Sequence, residues 1–468
     1  MLQLPGPELV IAPGRAVEWR VHTVTGGTPA PGRTPSHNQE YHFVACAPPP
    51  GQAEDPDGRP GPRTDSFAVT FEIDGRLDEP ALEAALLHCV RRHEVLRCDF
   101  RPSAAGGLDI EVAEPADVKL ERIDRGTTAS TAEARAYAER FLRSTDTRRG
   151  PWFVMGATVR RDSATVHLVC DHLVTDGTSL MVLVHDVATA YEAFAAGRQP
   201  QLPLPGGFLD HGRAERERAA AARPDDAALA PWRGFIARNG GPFPKFPLDL
   251  GIEPGAGAPA VNSTDPLLDR AGAAALEARL RTLGAGVPAG VLAALGVSLR
   301  AEGGPDVHRA LVPVSTRGRG RHAHGAGWFV NLVPVEFPVP EGAELAPTVA
   351  GVRDASTRMV RAGRIPFVVM LRLLAPEHYA RPWPHAVNFS SYMDYRAVPG
   401  AARHAARRVA GYTSVPATNG MFLWVFRSDA GIHLNCVHVD TREARRVKAA
   451  LIGTLSRTLE NMARHGTF

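Results

Sequence analysis

The segment Ala164-Thr165-Val166-His167-Leu168-Val169-Cys170-Asp171-His172-Leu173-Val174-Thr175-Asp176-Gly177-Thr178-Ser179 changes its hydrophobic period partway along. Ala164 to Cys170 is a mostly apolar run of strand length. From Thr178 the apolar residues return at Leu180, Val184, Val187 and Tyr191, and Gly197 closes the run, which is a helical period with a glycine stop. His172 to Gly177 therefore reads as a loop joining a strand to a helix. Such a loop presents the His172 imidazole at the edge of a folded unit. There a neutral histidine can take a proton from an amine or alcohol as it attacks an acyl carbonyl. Asp176 is too constrained by the turn to relay that proton and is expected to hold the loop by an ion pair to a distant arginine, while Gly177 opens the helix. Alone, the pattern H-x-x-x-D-G is weak, because a lone histidine more often serves structure than chemistry.

Toward the N-terminus, Trp152 to Val159 and Ala164 to Cys170 flank the polar turn Arg160-Arg161-Asp162-Ser163 and predict a hairpin. Ser130 and Glu133 have capping-box spacing before a helix carrying Tyr137, Phe141 and Leu142 on one side. Phe67 to Ile73 reads as a strand. Asp78 and Pro80 then open a helix with the stripe Ala81, Leu82, Ala85, Leu86, Cys89 and Val90. Arg92 to Arg97 leads into a short strand ending at Phe100. The proline-rich run from Pro48 to Arg63 is too poor in apolar residues to order itself and predicts a loop or a disordered insert.

Toward the C-terminus, the polar Arg213 to Asp226 stretch is helical in composition and bridges to a second lobe after the Pro/Gly-rich Gln199 to Gly207. A loop is expected at Pro254 to Pro259, helices near Ala271 to Thr282 and Ala289 to Arg300, and a last helix from about Glu443 to Met462. Strands are expected at Ala310 to Val314, Trp328 to Phe337, Met421 to Phe426 and Ile432 to Val439. Both halves mix strands with helices, so the expected class is α+β in two lobes, 1–225 and 226–468.

A chain of 468 residues is long enough for two such cores. With 44% hydrophobic and 22% charged residues and no long apolar run, it is not expected to span a membrane, and Met1 to Arg20 lacks a secretory pattern, so a cytoplasmic location is expected. Cys46, Cys89, Cys98, Cys170 and Cys436 are scattered and odd in number, against a disulfide framework or a zinc site. His322 and His324 form an H-x-H pair without a third ligand nearby, so no metal is expected. The net charge of +3 gives no case for nucleic acid. No G-x-S-x-G, Walker A or Rossmann pattern supports hydrolase, ATPase or dehydrogenase chemistry.

Several ordered segments resemble the condensation-domain superfamily of nonribosomal peptide synthesis. Ser36-His37-Asn38-Gln39 resembles its S-x-x-Q opening, and Arg92-His93-Glu94-Val95-Leu96-Arg97-Cys98-Asp99-Phe100 is close to R-H-E-x-L-R-x-x-F. Asp171 to Ser179 stands where the family has H-H-x-x-x-D-G-x-S. Val312-Pro313-Val314-Ser315-Thr316-Arg317, Gly327 to Val335 and Asn388-Phe389-Ser390-Ser391-Tyr392 resemble later motifs, and the resemblance spans about 35 to 460. It implies a V-shaped pseudo-dimer of two chloramphenicol-acetyltransferase-like lobes, with a tunnel between them and the histidine loop midway. It implies a catalytic motif of His172, Asp176 and Gly177, with Asp171, Ser179, Arg317 and Asn331 as structural motif positions and Arg317 as the partner of Asp176. The reaction implied joins a carrier-bound thioester acyl or aminoacyl donor to an amine or alcohol, forming an amide or ester, with no metal or tightly bound cofactor. The phosphopantetheine arm of an acyl or peptidyl carrier protein is then the tether, and without a carrier module of its own the chain is expected to act in trans as a free-standing member on a small-molecule acceptor.

The pattern departs at Asp171, which replaces the first motif histidine. Plain condensation is the expected reaction, with Asp171 a loop-shaping residue that the family's histidine can replace at modest loss. Asp171, Asp176 and Ser179 also satisfy D-x-x-x-x-D-x-x-S, the signature of related heterocyclisation domains, which is one alternative. A catalytically silent docking or recruitment platform is another, and the intact His172 and Asp176 speak against it. Arg317, Arg319 and Arg321, with Arg403, Arg407 and Arg408, form basic clusters suited either to a carrier's phosphate and acidic helix or to plain solvation.

Overall fold

The computed structural model of the chain describes residues 2–5, 11–23, 28–29, 34–46, 66–104, 106–318, 320–379, 385–415 and 417–468. The 48–63 stretch expected as a loop, and Arg319, lie outside the described residues.

The local readings around the histidine loop have clear physical counterparts. The hairpin forms as Phe153–Val159 and Ser163–Asp171, paired antiparallel with Phe153 opposite Cys170. The helix begun by Asp78 runs Glu79–Arg92; the Asp78 carboxylate accepts the Ala81 amide at 3.0 Å, and the whole expected stripe is buried. The helix after the loop is Gly177–Ala195, capped by the Asp176 carboxylate on the Ser179 amide at 2.7 Å. Ser130 caps Thr131–Leu142, but Glu133 turns its carboxylate to the Ala129 amide, so the capping box expected there is only half made. The complete box is at Ser36 and Gln39, opening His37–Ala45.

A seven-stranded sheet takes the spatial order Leu2–Pro5, Ala410–Ser414, Ser66–Asp74, Ser163–Asp171, Phe153–Val159, Arg15–Thr23, Val118–Thr127. All its pairings are antiparallel except the first. A second seven-stranded sheet has the order Val330–Pro338, Val307–Ser315, Phe389–Asp394, Met421–Ser428, Gly431–Val439, Ala258–Asp269, Ala417–Thr418, with Phe389–Asp394 parallel to both neighbours. Helices cover this second sheet: Leu276, Leu280, Val291, Leu295, Val349, Leu451, Leu455 and Leu459 bury their side chains in one core with Val335, Leu423, Val425 and Leu434.

Contacts divide the chain into two compact units, and the cut is not the single one expected at 225/226. The first unit is Met1–Ala220 with Ser315–Val330 and Ala397–Ser414, and the second is Ala221–Val314, Asn331–Arg396 and Val415–Phe468. The correction matters for function because Arg317, Gly327 and Trp328, placed by sequence in the second lobe, belong to the unit that carries His172. Trp328 also lies outside the strand expected to begin there, which starts at Val330. The expected Pro254–Pro259 loop is cut short by the strand Ala258–Asp269. The cysteines form no disulfide among the described residues, and Cys89, Cys98, Cys170 and Cys436 are buried. Among the described residues no single helix is long and apolar enough to cross a membrane.

Candidate active site

His172 is the residue of its loop whose side chain is half-buried while Asp171 and Leu173 to Asp176 around it are buried. Its Nδ1 lies 2.9 Å from the Thr175 carbonyl oxygen. A carbonyl can only accept, so Nδ1 carries the proton and Nε2 is left with the lone pair, which is the tautomer a general base needs. The Trp328 indole stacks on the ring at 3.6 Å between centroids and 19° between planes, and Phe67 meets it edge-on at 4.8 Å. These rings fix the direction of Nε2. The indole face also favours the imidazolium that forms once a proton is taken, an effect on the order of 0.5–2 kcal/mol.

The Asp176 carboxylate accepts from Arg317 Nη2 at 3.0 and 3.2 Å, from the Ser179 amide at 2.7 Å and from the Phe329 amide at 2.9 Å. The same guanidinium donates to Ser179 Oγ at 2.7 Å, to the His322 carbonyl at 3.0 Å and to the Gly325 carbonyl, and lies over the Phe329 ring at 4.3 Å. Ser179 Oγ in turn donates to the Gly327 carbonyl at 2.7 Å and accepts the Gly327 amide. Gly327 has φ +147°, and a Cβ there would collide with the Phe208 ring, so only glycine lets the turn pass. Asp176, Ser179 and Arg317 thus form one buried knot that fixes the turn carrying Trp328 against His172. Gly177, beside Asp176, is the first residue of the helix.

Two further supports come from motifs whose purpose the sequence did not show. Gln39 is fully buried; its Oε1 accepts the Ser36 amide at 3.0 Å and its Nε2 donates to the Leu173 carbonyl at 2.6 Å, inside the histidine loop. His93 donates from Nε2 to Asp186 at 2.9 Å and accepts the Ala326 amide on Nδ1 at 3.3 Å, next to Gly327. Burial lowers the His93 pKa, which keeps the ring neutral and able to accept. Gln39→Leu should leave two buried backbone groups unmet and lower the unfolding free energy by about 1–3 kcal/mol, as a reduced urea midpoint with an unchanged slope.

Asp171 is fully buried. Its Oδ1 accepts the Leu173 amide at 2.8 Å, Thr147 Oγ1 donates to its Oδ2, and His42 Nε2 lies 3.9 Å from Oδ1. A histidine is larger and cannot accept from both donors at once, so the expected easy replacement of Asp171 by histidine does not suit this site. Asn331 is elsewhere, in the second unit. It donates to the Gly363 and Ile365 carbonyls and accepts the Phe367 and Leu332 amides, which pins the turn before the helix Phe367–Leu374.

The condensation-domain family model matches residues 63–422, more than three quarters of the chain. The chain belongs to the condensation-domain family. Acyltransferase PapA3 of Mycobacterium tuberculosis is 23% identical over 406 residues, covering 86% of this chain and 84% of the relative. Trehalose-2-sulfate acyltransferase PapA2 of Mycobacterium bovis is 27% identical over 336 residues, covering 70% and 69%. The solved structure of PapA2 acyl transferase superposes with a TM-score of 0.85 at 22% identity, covering 99% of this chain and 100% of that one. The α+β fold with two chloramphenicol-acetyltransferase-like lobes is shared across these matches, and this condensation-domain chain is an acyltransferase.

Within this condensation-domain protein four of the arginines read as suited to a carrier or to plain solvation pair with its own carboxylates. Arg403 and Arg407 pair with Glu192, Arg408 with Asp74, and Arg317 with Asp176. His322 packs against His211 and Phe329. Among the described residues no group of three His, Cys, Asp or Glu is arranged to hold a metal. A cavity of about 580 Å³ in the second unit, lined in part by Phe246, Leu250, His308 and Asn388, does not include His172. The residues that sequence reasoning missed are Trp328, Phe67, Gln39, Thr147 and His42. The first three lie in stretches already singled out for another reason; nothing in the sequence pairs Thr147 or His42 with the loop.

Proposed function

We propose that this acyltransferase joins an acyl group held as a thioester on a carrier protein's phosphopantetheine arm to a hydroxyl of a small-molecule acceptor, with His172 as the base. The observation that carries the reading is the Thr175 carbonyl on His172 Nδ1, which sets Nε2 as the proton acceptor. In the proposed step His172 Nε2 takes the hydroxyl proton, the oxygen attacks the thioester carbonyl, and a tetrahedral oxyanion forms. Collapse breaks the C–S bond, and the thiolate leaves as a thiol with the proton returned from His172. Carrier proteins in trans would deliver the donor. An ester product is favoured over an amide because the relative Trehalose-2-sulfate acyltransferase PapA2 is named for a sugar acceptor. Heterocyclisation is disfavoured: the Asp171 carboxylate that completes its signature is fully buried and already accepts from Leu173 and Thr147.

The test is to incubate the chain with acyl-loaded carrier proteins and a panel of alcohols, amines and amino acids bearing side-chain nucleophiles, and to read carriers and products by intact mass. Acyl loss from the carrier matched by a linear ester on an alcohol is the expected result. Linear amides only would reverse the acceptor assignment. A product lighter than the linear adduct by one water, formed only with cysteine, serine or threonine acceptors, would replace condensation by cyclisation.

A further inference from the structure

Where the family pattern has its first motif histidine, this chain has a fully buried carboxylate, and a histidine from a different element stands beside it. His42 lies on the helix His37–Ala45, one turn after Gln39, and is itself buried. Its Nε2 is 3.9 Å from Asp171 Oδ1, its ring centroid is 6.1 Å from that of His172, and it meets the Trp328 indole edge-on at 5.4 Å. Asp171, His42, His172 and Trp328 therefore form one cluster in the first unit. The Leu173 amide and the Thr147 hydroxyl donate to Asp171 as neutral groups, and His42 stands close enough to add a positive charge to them, which favours the ionised form of a buried carboxylate.

We propose that His42 is a positioning residue that pairs as imidazolium with the Asp171 carboxylate and thereby sets the proton affinity of His172. Asp171 sits next to His172 in sequence, and an uncompensated carboxylate there would favour imidazolium and leave less neutral base. The His42 charge offsets it. The helix His37–Ala45 packs on Leu108–Val112 and Phe208–Ala220, and charged groups on and around these elements have contacts of their own: Arg148 donates to the Phe43 carbonyl and lies over the Phe43 ring, Arg216 pairs with Glu40, Glu215 accepts the His37 amide, and Glu111 pairs with Arg101. Asp210 pairs with Arg213 and Asp109 is exposed. On the same helix Cys46 Sγ lies 4.0 Å from the His42 ring nitrogens.

The inference uses the reading of His172 as base only for its catalytic consequence, so it is tested without substrate. The full chain carrying 13C-labelled histidine is titrated and the His172 Cε1–H resonance, identified by its loss in His172→Gln, is followed against pH. Removing a positive charge at this distance should raise the His172 midpoint in His42→Gln by about 0.5–1 pH unit, and removing the negative charge in Asp171→Asn should lower it by a similar amount. The double variant should return close to the wild-type midpoint. A His42→Gln midpoint indistinguishable from wild type overturns the pairing, whatever happens to activity. If His42→Gln does not fold, His42→Asn and Asp171→Asn decide it; an unmoved midpoint in either sinks the proposal. Loss of activity in His172→Ala with unmoved midpoints in these variants would leave the base role standing and remove only the pair.

Discussion

His172→Ala should fold as the parent does and lose product formation by about 10²- to 10⁴-fold, on the order of 3–5 kcal/mol of barrier. Folding should survive because the ring is half-exposed and the loop keeps its other ties, Gln39 to the Leu173 carbonyl and Asp171 to the Leu173 amide. The loss should fall on kcat, since the proton is taken only as the bond forms. In the parent, kcat/KM should fall as pH is lowered, because the imidazolium has no lone pair to receive the hydroxyl proton; in His172→Ala that acid limb should vanish. What activity remains would come from holding the two reactants together. Circular dichroism checks the fold and product mass checks the rate. Activity within about twofold of the parent would end the general-base reading and revive the silent-platform alternative.

The site was legible in sequence where local period decides and opaque where contact order is high. His172 and its strand-to-helix loop follow from Ala164–Cys170 and the Leu180, Val184, Val187, Tyr191 stripe, because both neighbours of the loop are buried on pattern alone. The partner of Asp176 lies 141 residues away, and no periodicity links the two; the family resemblance supplied Arg317. Trp328 read as the start of a strand since aromatic and β-branched residues follow it. The backbone instead turns at Gly327, where the Phe329 amide bonds to Asp176 rather than to a neighbouring strand. That is tertiary chemistry overriding strand propensity. The strand Val118–Thr127 was hidden for the opposite reason: as the edge strand it buries almost none of its Lys-Leu-Glu-Arg-Ile-Asp-Arg run, so it carries little hydrophobic signal. Arg15–Thr23 was legible in principle through Val17, Trp19 and Val21. The pairing of His42 with Asp171 required the fold, because a helix and a loop far apart in the chain had to be placed side by side.

Breaking the Asp176–Arg317 pair should give the largest loss of stability, and the way the losses combine identifies its cause. Both side chains are buried, Asp176 at 3% and Arg317 at 7% exposure. Removing either partner strands the other's charge, at about 3–5 kcal/mol. Asp176→Ala should sit at the upper end, because it also takes the acceptor from the Ser179 and Phe329 amides and so removes a helix cap worth about 1 kcal/mol. Arg317→Ala spares those two bonds but abandons the His322 and Gly325 carbonyls and Ser179 Oγ. Once one partner is gone the second removal strands no further charge. The double variant should therefore lose less than the sum of the singles, by about 0.5–3 kcal/mol in urea unfolding. Asp176→Asn separates the two contributions, since its amide oxygen can still cap Ser179 while the ion pair is lost; it should fall between parent and Asp176→Ala. If Asp176→Ala does not fold, the cycle can be run from Asp176→Asn. Simple additivity in either cycle would mean that the two residues, close as they are, are not energetically coupled. The knot would then be a set of separate hydrogen bonds, each holding its own stretch of backbone. With coupling, Asp176, Ser179 and Arg317 act as one unit, and weakening any member should loosen the Trp328 turn that fixes the direction of His172 Nε2.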